Sequence, residues 1–562
     1  MKDNLDKFFL YNDNDDFKYN NNRSDLNIKF NRIAFIFFFF FIISIIYSIH
    51  LIHLGSRKSD LSNNNQSKII NKLHRADIVD RNGSFLAKTV SSIDIGINPV
   101  EIIDQKKLLL NLGYIFPDKN YELVKSQLKK DKFFWFEKKI SDENYEKIMT
   151  LGDKSIQAKE KLSRIYPQKN LFSHIIGQID DDNIGISGLE KSLDEKLKKN
   201  KKLVQLTVDK DIQFLIREEL LKYNKIFKAK GSAAILMDVN NGQIISIVSL
   251  PDFDPNERIN ITDTNYINRA TKGVYELGSV FKTFTVAAGI HEGVIEPETR
   301  FKNLKKSIKC GKNTISEYDK KIPSDLTVEQ ILIRSGNIGS VRIAQAIGLE
   351  RFKQFMNELS LINSIEFDID EIGIPISFKW GKCKLATASY GHGITTTILQ
   401  LANAYSIVVN GGYKISPTLL KNDKNLKRKK ILKNEVSNKI NIILRKIVTT
   451  KEGTASLANI NGYEVGGKTG TAQKSTVGGY SNNKINTFAS VFPTSNPKFT
   501  LVVMLDEPKT NSEYLYNYRD GSGIRYKGTP FNTAGWTTVE VVGQIIEKIG
   551  PILAIKYNEV YE

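Results

Sequence analysis

Cysteine is scarce in this chain of 562 residues, which contains only Cys310 and Cys383. A scaffold held by many disulfides is therefore excluded, and so is a zinc ribbon, whose ligands come in Cys-x-x-Cys pairs. The six histidines are scattered, and none lies in a His-Glu-x-x-His motif. We therefore expect neither a metal nor a cofactor, and the sequence leaves open whether the two cysteines pair.

Acidic residues are outnumbered, with 62 against 81 basic ones, and the net charge is +19. Such an excess can indicate a nucleic-acid partner. Here the basic residues are spread along the chain, and the densest run, Lys424–Lys433, is typical of a solvated loop. Because no nucleic-acid motif accompanies it, we expect no nucleic acid as a partner.

Charged residues are missing from residues 33–54, which include the phenylalanine run Phe37–Phe41. A helix needs roughly 20 apolar residues to cross the hydrocarbon of a membrane. No small-x-small cleavage site follows, so an uncleaved transmembrane helix is predicted. Residues 1–32 are polar and rich in asparagine, which is typical of a disordered tail. Basic residues flank both ends of the helix, so charge alone does not orient it.

Hydrophobic residues make up 41% of the whole chain, enough for a sizeable core. Two strand-turn-strand patterns bracket a series of helical ones. The first joins Ala233–Val239 to Gln243–Leu250 through Asn241-Gly242, and the second joins Thr487–Phe492 to Lys498–Leu505. Strands at both ends with helices between predict a large α+β domain with an antiparallel sheet.

The first chemical motif is Ser279-Val280-Phe281-Lys282, which runs into an apolar helix. A serine needs a base to become a good nucleophile. Lys282 lies three residues after Ser279, on the same helix face. Burial and the helix N-terminus would both lower its pKa, as a neutral base requires.

The second motif is Ser335-Gly336-Asn337, in a short loop between two helical stretches. Ser335 could relay a proton to a leaving amine. Asn337 could hold a substrate amide and the catalytic lysine through hydrogen bonds.

The third motif is Lys468-Thr469-Gly470-Thr471, on a predicted strand. Lys468 and Thr469 offer a cation and a hydroxyl to a substrate carboxylate. Gly470 would let the substrate lie along the strand edge. The backbone N–H of Thr471, with that of Ser279, could form an oxyanion hole.

The order of the three motifs makes them specific: 56 residues separate Ser279 from Ser335, and 133 separate Ser335 from Lys468. Ser-x-x-Lys, Ser-x-Asn and Lys-Thr-Gly are the motifs of β-lactamases and penicillin-binding proteins. The chain thus resembles the penicillin-recognising acyl-serine transferases.

Residues before 230 resemble class B penicillin-binding proteins, in Arg75–Gly83, Arg164–Pro167 and Gly185–Glu190. The resemblance implies an elongated mixed pedestal domain and a transpeptidase domain, in which an antiparallel sheet has helices on both faces beside an all-helical subdomain. The expected divisions are a cytoplasmic tail (1–32), a transmembrane helix (33–54), a linker (55–74), the pedestal (75–228), the transpeptidase domain (229–552) and a C-terminal tail (553–562).

Within class B, Ser389–Gly393 and Thr533–Trp536 look like the division-specific FtsI-type enzymes of alphaproteobacteria. Two positions depart from the family pattern. Leu277 stands where the family usually has proline, and Ala76 where it has glycine. Neither departure removes a reacting group. His392 lies between glycines, so we expect it to be structural rather than catalytic.

The resemblance implies a septal peptidoglycan D,D-transpeptidase that cross-links stem peptides through an acyl-serine and is inhibited by β-lactams. It also implies an inner-membrane anchor with the N-terminus cytoplasmic and the catalytic domain periplasmic. An FtsW-like glycosyltransferase and other division proteins are the implied partners. The alternatives are an elongation-specific class B transpeptidase, a serine β-lactamase, and a β-lactam sensor or scaffold.

Overall fold

The structure is a computed structural model that describes residues 24–56, 74–199, 202–257, 264–311, 313–376, 378–421, 429–476 and 479–558. The chain divides into two compact units, residues 1–72 and residues 73–562. Part of the basic run predicted as a loop, residues 422–428, lies outside the described residues.

The described part of the first unit is one helix, α1 (Ser24–Ser56). Its segment Ala34–His53 is long and apolar enough to cross a membrane, with a mean hydropathy of 2.6. The predicted disordered tail is wrong for residues 24–32, which are helical. Once an apolar segment forms a helix, adding residues costs little, and Ser24 is a residue type that favours a helix start.

The second unit begins with five strands: β1 (Ile78–Val79), β2 (Phe85–Ile97), β3 (Phe134–Ile140), β4 (Ile156–Ile165) and β5 (Val204–Gln205). They form a sheet in the order β3-β2-β1-β5, in which β4 also pairs with β2. All pairs are antiparallel except β1 with β5. The helices of this region are α2 (Gln105–Ile115), α3 (Tyr121–Leu128), α4 (Asp142–Met149), α5 (Ser173–Ile176), α6 (Gly188–Ser192) and α7 (Asp194–Lys199).

This region has two separate apolar cores. One lies at its far end, where Ile95 and Phe136 pack with the buried faces of α2, α3 and α4. The other includes Ile78 and Leu86 and is continuous with the core of the C-terminal region. The base of the pedestal is therefore packed as part of the larger fold.

The strands of the C-terminal region are β6 (Gly231–Asp238), β7 (Ile244–Leu250), β8 (Arg300–Phe301), β9 (Ser307–Cys310), β10 (Asn313–Ser316), β11 (Leu326–Thr327), β12 (Gly466–Thr476), β13 (Gly479–Phe492), β14 (Phe499–Asp506), β15 (Leu515–Asn517) and β16 (Arg525–Lys527). Five of them form a second sheet, in the order β12-β13-β14-β6-β7, which is antiparallel throughout and confirms the predicted α+β class. The predicted first hairpin is confirmed, and Gly242 has the positive φ of 79° that its turn requires.

The helices of this region are α8 (Lys210–Ile226), α9 (Lys282–His291), α10 (Val328–Ile333), α11 (Asn337–Ile347), α12 (Leu349–Glu358), α13 (Lys382–Ala388), α14 (Ile398–Val409), α15 (Asn434–Thr449) and α16 (Thr538–Asn558). Helices α8 and α16 pack on each other, α8 on β7 and α16 on β13 and β14. Helix α14 packs on β6 and β14, and α15 packs on β12. Helices α9 to α13 pack mainly against one another and form a helical subdomain beside the sheet.

Two predicted boundaries differ from the packing. Helix α8 falls in the stretch assigned to the pedestal, yet it covers β7 of the C-terminal sheet. The predicted C-terminal tail is wrong for residues 553–558, which continue α16. There Lys556 contacts Asp209 at 3.0 Å, and the Arg81 guanidinium lies 4.4 Å from the centre of the Tyr557 ring. The last turn of α16 is thereby held to the base of the pedestal.

Candidate active site

Ser279 lies in a single 3₁₀ turn, Gly278–Phe281, that leads directly into α9. Gly278 precedes it with a φ of 63°, a conformation that glycine adopts without strain. Ser279 is half-buried and lines a cleft, whereas Lys282, the first residue of α9, is fully buried. The turn therefore presents the hydroxyl to the cleft and places the amine behind it.

Oxygens of the Ser335–Asn337 loop surround the Lys282 amine. Its Nζ donates to the carbonyl of Ser335 at 2.5 Å, to Ser335 Oγ at 3.1 Å and to Asn337 Oδ1 at 2.7 Å. Burial lowers the pKa of Lys282 to about 7, while the negative charge of Glu317 acts in the opposite direction. A substantial neutral fraction at neutral pH follows, as a general base requires. The hydrogen bonds described for this amine run to Ser335 and Asn337 rather than to Ser279.

A second buried amine, that of Lys468 on β12, is hydrogen bonded to the Ser335 hydroxyl as well. Its Nζ donates to Ser335 Oγ at 2.9 Å and to the Thr469 carbonyl at 3.1 Å. Burial, and then the charge of Lys282, lower the pKa of Lys468 well below its ordinary value. Ser335 has a φ of 60°, a sparsely populated conformation for a non-glycine residue. Its hydroxyl therefore lies between the two amines and can pass a proton between groups in the cleft.

Strand β12 forms the edge of its sheet, so an extended peptide can add to its outer side. The Thr469 and Thr454 hydroxyls are hydrogen bonded at 2.7 Å. Thr471 Oγ1 accepts from the backbone N–H of Ala534 at 3.0 Å, which ties β12 to the segment before α16. These contacts fix the orientation of two hydroxyls on the strand.

Gly470 has a role that the sequence did not predict. A Cβ at this position would lie 2.2 Å from the Leu277 carbonyl oxygen and 3.0 Å from Val280 Cγ1. The glycine therefore lets β12 approach the turn that carries Ser279. Similarly, a Cβ at Gly391 would lie 2.0 Å from the Gly278 oxygen. Three segments distant in sequence meet only because these positions lack side chains.

The cleft between these segments has a volume of about 1080 Å³. Ser279, Ser335, Asn337, Thr469 and Thr471 line it, and the two lysines lie buried at its wall. The structure thus brings all three sequence motifs to one site. Its size is ample for a peptide segment, since small-molecule sites usually hold about 300–1,000 Å³.

Two aromatic side chains, those of His392 and Tyr480, pack against each other beside the cleft. The His392 ring stacks on Tyr480 with centroids 4.6 Å apart, and Tyr480 donates to the Glu276 carboxylate at 3.1 Å. Gly391 and Gly393, on either side of His392, both have positive φ, so the backbone turns sharply there. No sequence motif pointed to Tyr480 or Glu276, because their contacts are formed only in the folded chain.

Cys310 and Cys383 form a disulfide, which answers a question that the sequence left open. The bond joins β9 of a small hairpin to the first turn of α13. Glu317, directly after this hairpin, accepts from the backbone N–H groups of Asn337 and Ile338. The sequence did not single out Glu317, since it lies in a charged stretch without a motif.

Comparison with known protein families finds two domain matches that include these features. Residues 232–521 match the penicillin-binding protein transpeptidase domain, and residues 71–223 match the penicillin-binding protein dimerisation domain. The chain is 29% identical over 497 residues to the probable peptidoglycan D,D-transpeptidase FtsI of Caulobacter vibrioides, covering 86% of this chain and 82% of that protein. It is also 29% identical to the peptidoglycan D,D-transpeptidase FtsI of Buchnera aphidicola, covering 78% and 83%.

A solved structure has the same fold. Penicillin-binding protein 3 of Mycobacterium tuberculosis, complexed with aztreonam, superposes with a TM-score of 0.64 at 22% identity, covering 85% of this chain and 96% of that one. With the three motifs gathered in one cleft and both family domains matched in order, the chain belongs to the class B penicillin-binding proteins and is a serine peptidoglycan D,D-transpeptidase, with an N-terminal apolar helix long enough to anchor it in a membrane.

Proposed function

We propose that this protein cross-links peptidoglycan at the division septum, with Ser279 as the nucleophile. The observation that carries the site assignment is the pair of buried amines, Lys282 and Lys468, that share the Ser335 hydroxyl. Such unpaired buried cations are costly to stability and are found mainly where chemistry needs them. The two FtsI relatives support the septal role.

In the acylation step, Ser279 Oγ attacks the carbonyl carbon of the penultimate D-alanine of a stem peptide. Neutral Lys282 takes the hydroxyl proton. The backbone N–H groups of Ser279 and Thr471 stabilise the oxyanion. When the C–N bond breaks, the leaving D-alanine amine receives a proton through Ser335.

The binding groups are assigned to the remaining motif residues. Lys468 and Thr469 hold the terminal carboxylate of the donor peptide, and Gly470 leaves room for it along β12. Asn337 holds a substrate amide as well as the amine of Lys282. An amine of a neighbouring stem then attacks the acyl-enzyme, which forms the cross-link and releases Ser279.

For topology, we infer a cytoplasmic N-terminus and a periplasmic catalytic domain, since the substrate lies outside the inner membrane. Partners would be an FtsW-like glycosyltransferase and other division proteins, and β-lactams would acylate Ser279. The disulfide supports this placement, because disulfides persist in oxidising compartments.

Labelled penicillin tests the site. The full chain in detergent should become covalently labelled, and Ser279→Ala should not. Ser456→Ala is the matched control, since this serine also lines the cleft and should leave labelling intact. Labelling of Ser279→Ala would contradict the assignment.

Depletion of the protein in its host tests the septal role. A septal enzyme should give filamentous cells and a tagged protein at mid-cell. Rounded cells and a lateral-wall signal would instead favour the elongation-specific alternative. Rapid turnover of penicillin would favour a β-lactamase, and intact wall cross-linking after inactivation of Ser279 would favour a sensor or scaffold.

A further inference from the structure

Glu317 lines the cleft and holds the start of α11. Its Oε2 accepts from the backbone N–H of Asn337 at 2.7 Å, and its Oε1 accepts from that of Ile338 at 2.8 Å. These are the first two residues of an 11-residue helix, whose N–H groups have no partner within the helix. The carboxylate therefore satisfies both at once.

The same segment also fixes the side chain of Asn337. Asn337 Nδ2 donates to the carbonyl of Ser316 at 2.8 Å, which leaves Oδ1 directed to the Lys282 amine at 2.7 Å. The amide cannot turn over without losing both contacts. Ser316, at the end of β10, and Glu317 after it thus orient one of the two residues that hold the amine of Lys282.

The segment carrying Glu317 is itself restrained. The backbone N–H of Glu317 donates to the Lys306 carbonyl at 3.0 Å, on the other arm of the hairpin. The Cys310–Cys383 bond ties that hairpin to α13. The backbone hydrogen bond and the disulfide therefore restrict the movement of Glu317.

Within the described residues, two charged groups are electrostatically linked to Lys282: Glu317, after β10, and Lys468, on β12. Arg334, next to Ser335, pairs with Glu452 at 3.4 Å. Glu317 therefore supplies a negative charge that partly offsets the effect of burial on Lys282.

We propose that Glu317 is a positioning residue for acylation, which orients Asn337 and sets the charge balance around Lys282. The proposal rests on the assignment of Lys282 as the general base. A helix cap alone contributes stability, but it would not alter the pH dependence of catalysis. The pH profile therefore separates the two roles.

The test compares Glu317→Gln, Glu317→Asp and wild type in the full chain. The measurement is the second-order rate of acylation by labelled penicillin between pH 5.5 and 9, divided by the folded fraction. For Glu317→Gln, we expect a plateau about 10- to 100-fold lower and a rising limb shifted to lower pH. The shift has this direction because removal of a negative charge disfavours the ammonium form of Lys282.

Glu317→Asp retains the charge but is too short to hold both N–H groups as Glu317 does. We expect a plateau several-fold below wild type and a rising limb closer to that of wild type. Glu329→Gln is the control, since Glu329 lies in the first turn of the adjacent α10 and pairs with Lys446 outside the cleft. It should change neither the plateau nor the limb.

An unshifted limb in Glu317→Gln, whatever its stability, would overturn the proposal and leave a helix cap. If that variant does not fold, a wild-type plateau in Glu317→Asp would overturn it. Failure of the underlying assignment has a different signature, since Lys282→Met would then be acylated at the wild-type rate.

Discussion

Two of the buried charge clusters among the described residues, one at the base of the pedestal and one in the cleft, are built in opposite ways. At the base of the pedestal, both oxygens of the buried Glu190 carboxylate accept from arginines: Arg75 Nε lies at 2.9 Å and Arg164 Nε at 2.7 Å. In the cleft, Lys282 and Lys468 are equally buried, but their hydrogen-bond partners are hydroxyl, amide and carbonyl oxygens.

The difference separates a structural role from a chemical one. A buried ion pair with matched charges stays ionised and holds its segments in place, so its partners are not free to exchange protons. A buried amine without a carboxylate in direct contact has a lowered pKa and can take up a proton near neutral pH. Burial alone therefore does not mark the active site, whereas burial without charge pairing does.

The largest expected effect comes from removing the unpaired charge. Lys282→Met should lower the rate of acylation by penicillin by about 10²–10⁴-fold, the range supplied by general base catalysis. Its unfolding midpoint should equal or exceed that of wild type, because no buried amine remains to be desolvated. Gel labelling and thermal unfolding measure the two quantities. A midpoint far below wild type would show that Lys282 stabilises the fold.

Removing the paired charge should do the reverse. Glu190→Gln leaves Arg75 and Arg164 buried without a carboxylate between them, at a cost of about 3–5 kcal/mol in the free energy of unfolding. Acylation per folded molecule should change little. Glu195→Gln is the control, since Glu195 forms an exposed pair with Lys199 and should change stability by less than about 0.5 kcal/mol. Equal stabilities of the two variants would remove the distinction between the clusters.

The sequence predicted the cleft residues well because each motif is local. Ser279 and Lys282 are separated by one helical turn, and Ser335 and Asn337 by one residue, so their spacing is visible in the chain itself. Glu317 was not predicted, since its partners at Asn337 and Ile338 are joined to it only by the fold.

The same reasoning explains the errors in the fold. The sheet and the main hairpins follow from alternation and turn residues. Helix α8 lies in the predicted pedestal, and the dimerisation-domain match runs to residue 223, yet the helix packs on β7 of the C-terminal sheet. An amphipathic pattern shows that a helix face is buried but not which sheet buries it. The last turn of α16 was taken for a tail because the contact of Tyr557 with Arg81 joins the two ends of the second unit.

A disulfide stabilises the hairpin beside the cleft, whereas ion pairs stabilise the base of the pedestal. This difference gives a third prediction. Cys383→Ser opens a loop whose ends are 73 residues apart in sequence, at a cost of about 2–4 kcal/mol in stability. Dithiothreitol should lower the unfolding midpoint of wild type but not that of the variant. An equal response of both proteins would show that the bond does not form in solution.

The smallest effect is a pH dependence that follows from the buried amine of Lys282. Below a pKa of about 7, acylation should fall roughly tenfold per pH unit as Lys282 becomes protonated. An unfolded lysine titrates near 10.4, so between about 7 and 10.4 the folded state binds fewer protons than the unfolded state. Stability must therefore rise with pH in this window, by at most about 1.4 kcal/mol per unit from this group. Urea unfolding at pH 7 and 9 measures the slope, which should be smaller in Lys282→Met. Equal slopes in the two proteins would mean that Lys282 remains an ammonium ion in the folded cleft.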